Sequence, residues 1–232
     1  MESKFDTSLR IYFIIAFINL MAIFFAADWL AMVTRPLMIP VLWVAFFQVT
    51  KNVFSPVRYL ILFALFFSWI GDISMALQAM DSLFFFIGSV LFLIAYIIYA
   101  VAFFTEIRNR KMMLAQRPWL VVIGFAYGFG FPLLFRKQLD DMLVPVILYE
   151  CIVTIMILMA FSRFNVSGNK SFQQVFAGVI FFLLSDSLAE INRFVQPFIL
   201  GSFLIMFAYI LAQVLIMKGI ADQYAFMEEK VI

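Results

Sequence analysis

Long apolar runs, broken by short polar clusters, dominate this chain. With ~20 apolar residues taken as the length that crosses a bilayer, the pattern predicts eight spans. They fall at 10–30, 36–50, 56–79, 83–105, 117–136, 143–163, 172–191 and 196–218. The second is short. Thr34-Arg35-Pro36 has the form of a helix start, with Thr as the cap and Pro in the first turn, and a re-entrant segment there would leave seven full spans. The longest connection, EIRNRKMMLAQRP, is a brief basic loop with no room for a soluble domain. The expectation is one all-α domain over residues 1–232, a polytopic transmembrane helical bundle. The start, MESKFDTSLR, is mixed in charge and leads into an apolar run with no small-residue cleavage site, the pattern of a retained span rather than a signal peptide.

Composition agrees. Hydrophobic residues make up 66% and charged residues 13%, against about half and ~25% in soluble domains. The 32 Phe fit lipid-facing surfaces, and the 14 Met are core or lipid-facing filler. A net charge of +2, no basic patch with aromatic interleaving and no Gly-rich phosphate loop give no sign of a nucleic-acid partner. Histidine is absent and Cys151 is the only cysteine. That removes His-based triads, His proton relays, an internal disulfide and thiolate or His-ligated zinc sites. Chemistry falls to carboxylates, hydroxyls, Tyr, Lys and Arg, and no cofactor is called for.

Lys and Arg in short loops set the orientation. One side holds Lys4, Arg10, Lys51, Arg58, Arg108, Arg110, Lys111, Arg117, Arg163, Lys170, Lys218 and Lys230; the other holds Arg35, Arg136, Lys137 and Arg193. Both termini are therefore expected in the cytoplasm. In that frame Asp72 lies in the third span, roughly 7 Å past its midpoint towards the outer side at 1.5 Å per residue. Asp186 falls at a similar depth in the seventh span, and Glu150 in the outer half of the sixth. Asp28, Arg35, Asn192 and Arg193 form an outer rim above this acidic layer.

An ionisable group inside a span costs roughly 2.5–3.5 kcal/mol on insertion scales, so it is usually paired or faces a polar cavity. Asp186, Glu190 and Arg193 are spaced to share one helix face, and Gly71 and Ser68 permit close packing beside Asp72. The bland reading is that the aspartates are interhelical glue, and that Tyr96, Tyr99, Tyr149 and Tyr209 pack the bundle. Glu190 and Asp28 are expected to be solvated or salt-bridged near the interface. The sharper reading is a pair of acids that divides into protonated and ionised partners for general acid and base work. There is also a hint of repetition: Asp72 precedes Tyr96 by nearly the same interval as Asp186 precedes Tyr209.

Several stretches resemble one family. "FFSWIGD", "FFIGSVLFLIAYIIYAVAF", "VPVILYECIVTIM", "FAGVIFFLLSDSLAEINRF" and "FAYILAQVLI" resemble the YhhN family of membrane proteins, which includes lysoplasmalogenase. "TRPLMIP" is similar to its early Thr-Lys-Pro-Leu pattern, with Arg35 in place of Lys. The likeness runs from about residue 34 to 216, and Ser-Asp-Ser…Asn-Arg-Phe is its most specific piece. The resemblance implies a multi-pass hydrolase of the vinyl ether bond of lysoplasmalogens, releasing a fatty aldehyde and a glycerophospho-ethanolamine or -choline. It implies Asp72 and Asp186 as the catalytic acids. The family often carries His where this chain has Tyr96, a departure that bears on whether activity and substrate carry over.

Vinyl ethers hydrolyse by protonation of the carbon remote from oxygen, which needs a general acid, a negative charge near the cation and a base for water. Asp72 and Asp186 suit that work with roles unassigned. Arg35, Asn192 and Arg193 at the rim, and Glu150, Tyr96, Tyr149 and Tyr209 in the layer below, are the candidate substrate-binding residues. The expected partners are a lysophospholipid substrate and membrane lipid. A bacterial inner membrane is the expected location, with the endoplasmic reticulum as the alternative. Two other functions stay open: a small transporter or proton-coupled carrier using the paired aspartates, and a lipid-binding protein with a structural Asp pair.

Overall fold

The computed structural model describes residues 2–108, 113–164 and 166–229. Arg110, Lys111 and Lys230 of the charge asymmetry lie outside the described residues. Eight principal helices follow one another: α1 Glu2–Phe24, α2 Asp28–Thr50, α3 Pro56–Ala76, α4 Leu83–Ile107, α5 Trp119–Leu134, α6 Leu143–Phe161, α7 Asn169–Glu190 and α8 Gly201–Glu229. Seven of them include stretches long and apolar enough to cross a membrane, and α5 is a shorter apolar helix of 16 residues.

The packing makes α5 the eighth crossing. Tyr96 of α4 packs on Tyr149 of α6 with ring centroids 5.9 Å apart, and Glu106 pairs with Arg163 just past the end of α6. Both contacts advance in the same direction, so α4 and α6 are parallel and the chain must return between them. It returns through α5, whose Gly124 and Gly128 face Thr154. At 1.5 Å per residue α5 spans about 24 Å, near the hydrocarbon thickness. The start of α1 and the end of α8 lie at one end of the bundle, because the two helices run antiparallel: Phe24 meets Phe203, and Tyr12 Oη donates to the Ile210 carbonyl across 2.9 Å.

The second span differs from the sequence expectation. α1 ends at Phe24, six residues early, and the chain reverses at Ala26, whose φ of 53° is left-handed. α2 then starts at Asp28 and runs 23 residues, so it is a full crossing and not re-entrant. Thr34 is no cap. It sits inside the helix and donates its hydroxyl to the Leu30 carbonyl at 2.7 Å, while Asn19 of α1 donates to that hydroxyl at 2.8 Å. Pro36 and Pro40 are interior to α2. Pro40 has no N–H for the Pro36 carbonyl, and Trp69 Nε1 of α3 supplies the missing donor at 2.9 Å.

The central helix is α8: 61% of its most apolar stretch is buried, against 22–39% in the other long spans. It packs most closely on α7, where glycines bring the backbones together. A Cβ at Gly178 would fall 2.7 Å from Ile216 Cγ1 and 3.0 Å from the Ala212 carbonyl oxygen, and one at Gly219 would fall 3.0 Å from the Ser171 carbonyl oxygen.

Opposite the Asp72 end, one charged cluster ties four segments. Arg163, fully buried, pairs through Nε with Glu106 of α4. Its Nη2 donates to Ser171 of α7 at 3.1 Å and to Gln223 of α8 at 2.7 Å. Its guanidinium lies over the Phe103 ring. The sequence pattern showed Arg163 only as a loop charge.

Candidate functional site

Asp72 is fully buried one turn before the end of α3. Both its oxygens are bonded. Oδ1 accepts from Arg35 Nε at 3.0 Å and Oδ2 from Tyr209 Oη at 2.7 Å. The chain of donors continues: Gln213 Nε2 donates to Tyr209 Oη at 3.1 Å, and Tyr99 Oη donates to Gln213 Oε1 at 3.2 Å. Four helices therefore hold one carboxylate, which suits a group that is costly to bury unpaired. Gly71 lets the Phe92 ring come within 3.3 Å of where a Cβ would stand. Arg35 binds Asp72 through Nε alone, and 22% of its side chain is exposed.

Asp186 on α7 is held differently. Tyr96 of α4 and Tyr149 and Glu150 of α6 lie within interaction range of its carboxyl. Its Oδ2 is buried without a hydrogen-bond partner among the described residues, as are both oxygens of Glu150. Glu190, one turn along α7, faces Glu150 and Asp186. Tyr127 of α5 is close to the same acids and shares a 2.6 Å hydrogen bond with Ser187. Glu190 was expected to be solvated or salt-bridged; instead it joins the acidic cluster. Among the described residues the ion pairs are Arg35–Asp72, Arg163–Glu106 and Lys170–Asp222, and none of them involves Asp186, Glu150 or Glu190.

One aromatic layer stands between the two centres. Phe92 packs on Tyr96 and Tyr209, and Phe182 packs on Tyr96 and Tyr209 as well, with centroids 5.1–6.5 Å apart. Among the described residues no hydrogen bond joins Asp72 to Asp186, so the acids border a shared wall and do not form a bonded dyad. The repeat seen in the sequence has a counterpart here. Gly71 faces Phe92, four residues before Tyr96, and Ser185 Oγ donates to the Ile205 carbonyl, four residues before Tyr209. The phenols are exchanged between the two units, with Tyr209 on Asp72 and Tyr96 beside Asp186.

The expected rim separates into unlike parts. α7 stops at Glu190 and the chain continues as a π-helical turn, Ile191–Val195. The wider turn takes Arg193 off the face of Asp186 and Glu190, and its guanidinium lies 4.7 Å from the Phe85 ring centroid, exposed. Asn192 Oδ1 accepts from the Phe198 backbone N–H at 3.2 Å, closing the loop into α8. Asp28 is exposed in the first turn of α2. Of the four rim residues, Arg35 alone contacts a catalytic candidate. Sequence reasoning missed Gln213 and Tyr127. The spacing of Gln213 one turn after Tyr209 was the available signal; Tyr127, in an apolar helix, had none.

A family model of the YhhN family matches residues 30–220, most of the chain and all of both carboxylate centres. The chain belongs to the YhhN family. The Asp72 and Asp186 segments, the TRP turn of α2 and the tyrosines of α4 and α8 all fall within the matched region of this YhhN protein. No curated protein and no solved structure matches it.

Proposed function

We propose that this YhhN protein is an integral-membrane hydrolase that cleaves the vinyl ether bond of lysoplasmalogen-type lysophospholipids, giving a fatty aldehyde and a glycerophospho-alcohol. The observation that carries the reading is the pair of unlike acids that border one aromatic wall, Asp72 fully buried and Asp186 half-buried, in a chain of a family associated with that activity. Both oxygens of Asp72 are committed, to Arg35 and Tyr209. It serves as the fixed negative charge beside the oxocarbenium ion. Asp186 keeps Oδ2 unpartnered and delivers the proton to the vinyl carbon remote from oxygen. Water then adds to the cation, its proton passing to the carboxylate left on Asp186, and the hemiacetal collapses to aldehyde and alcohol. The Nη groups of Arg35, without a hydrogen-bond acceptor among the described residues, suit the substrate phosphate. The alkenyl chain lies among the Phe-rich helices.

The test is aldehyde release from an alkenyl lysophospholipid by purified protein in nanodiscs. Wild type releases aldehyde, and Asp72→Asn and Asp186→Asn release none while remaining monodisperse. Full activity in either variant sinks the assignment. Uptake of unaltered substrate into proteoliposomes, without aldehyde, would favour a carrier instead.

A further inference from the structure

The hydrogen bonds behind Asp72 have a direction. Asp72, Tyr209, Gln213 and Tyr99 are all buried. Gln213 follows Tyr209 by one turn of α8, so the two side chains share a helix face. Tyr209 Oη lies 2.7 Å from Asp72 Oδ2 and 3.1 Å from Gln213 Nε2. A phenol has one proton to give, and an amide nitrogen donates without accepting. Nε2 therefore takes the accepting side of the phenol oxygen, and the phenol proton goes to the carboxylate.

The amide is held in this orientation from both ends. Turned over, it would present Oε1 to Tyr209 and compete with Asp72 for the single proton. At the far end Tyr99 Oη, on α4, donates to Oε1 across 3.2 Å and keeps the amide oxygen there. At the near end the bond to a charged oxygen is roughly twice as strong as one to a neutral oxygen, so Asp72 wins the phenol proton. Tyr99 is itself fixed: its ring stacks on Phe103 with centroids 6.1 Å apart and lies 6.2 Å from Phe182. The polarity thus runs from α4 through α8 to α3.

We propose that Gln213 is a positioning residue of the hydrolase: by donating to Tyr209 it commits the phenol proton to Asp72 and keeps that carboxylate the fixed anion beside the developing cation. The proposal rests on the lysoplasmalogen hydrolase reading and adds to it a residue that acts through Tyr209. An apolar side chain at 213 would leave the buried phenol oxygen without its donor, which costs free energy. A carboxylate there would offer the phenol a rival acceptor.

The experiment follows aldehyde release from an alkenyl lysophosphatidylcholine by the full-length protein in nanodiscs, over a range of substrate concentrations. Gln213→Met keeps the length of the side chain and removes the amide. It is expected to lower kcat roughly five- to tenfold and to leave KM within about twofold, since an interaction that acts on the transition state falls on kcat. In a Tyr209→Phe background the same change should move kcat by less than about twofold, because the group it acts through is gone. Undiminished kcat in Gln213→Met overturns the proposal. So does a loss confined to KM, or losses that multiply in the double variant. Tyr99→Phe keeps the amide and removes the hydroxyl that orients it; about a threefold loss of kcat is expected, and if Gln213→Met does not fold, unchanged kcat in Tyr99→Phe overturns the proposal. A readout without substrate separates the two readings. The infrared C–O stretch of the Tyr209 phenol, isolated by subtracting the Tyr209→Phe spectrum, should shift in Gln213→Met, or in Tyr99→Phe where that variant stands in. A shifted band without aldehyde release from wild type refutes the hydrolase and keeps the hydrogen-bond role; aldehyde release with an unshifted band refutes the role of Gln213 and keeps the hydrolase.

Discussion

Tyr209 donates its phenol to Asp72 across 2.7 Å, although it stands on α8, the helix packed against α7 and its own acid, Asp186. Tyr96 makes the reciprocal crossing, from α4 to Asp186. Each acid is thus attended by the phenol of the other unit. A hydrogen bond to a charged group contributes about 1.5–3 kcal/mol. Tyr209→Phe should therefore slow aldehyde release by roughly one to two orders of magnitude. An unchanged rate would reduce the phenol to packing.

The Arg35–Asp72 pair is a stability feature as well. Removing one partner of a buried pair costs about 3–5 kcal/mol because the other charge is stranded. Arg35→Ala should lower the thermal unfolding midpoint in detergent. Adding Asp72→Ala to it should recover part of the loss, since the two sites are in contact and do not add. Strict additivity in that double-mutant cycle would count against the pairing.

Gly178 and Gly219 mark two equally close approaches of α7 to α8. A Cβ at Gly178 meets Ile216 and backbone atoms of α8, so Gly178→Val should destabilise by about 1–3 kcal/mol and disturb Asp186 and Tyr209 together. Gly130 has nothing within 4 Å of its Cβ position. Gly130→Ala should be neutral or stabilising by up to about 1 kcal/mol. Thermal unfolding of the two variants side by side checks the contrast.

The Arg163 cluster lies far from either acid. Glu106→Ala strands a fully buried guanidinium and should cost about 3–5 kcal/mol of stability. Aldehyde release per folded molecule should stay within twofold of wild type at low temperature. A large loss of turnover without a loss of stability would instead couple this end of the bundle to the chemistry.

Most of the architecture was legible because apolar run length is a strong signal. The starts of α3, α4 and α6 fell where the pattern put them. The α1–α2 turn was missed because Ala26 reverses the chain without Gly or Pro, while Pro36 offers a false start. The place of Asp72 and Asp186 near the C-terminal ends of their helices was readable from counting residues. Their separation by Phe92 and Phe182 was not, since which faces of different helices meet is decided by packing. The face shared by Asp186, Glu190 and Arg193 failed at its last member because a π turn leaves no mark in hydropathy. Glu150 showed as an acid inside a span, but its grouping with Glu190 and Asp186 depends on how α6 and α7 face each other.

Two prolines inside a span are usually counted as damage to a helix. Here the damage works as an alignment pin. The carbonyl that Pro40 leaves free belongs to Pro36, next to Arg35, and it is taken by Trp69, three residues before Asp72. An unbroken helix would have kept that carbonyl to itself. By releasing it, α2 gains a fixed register against α3 at the level where a guanidinium must meet a carboxylate.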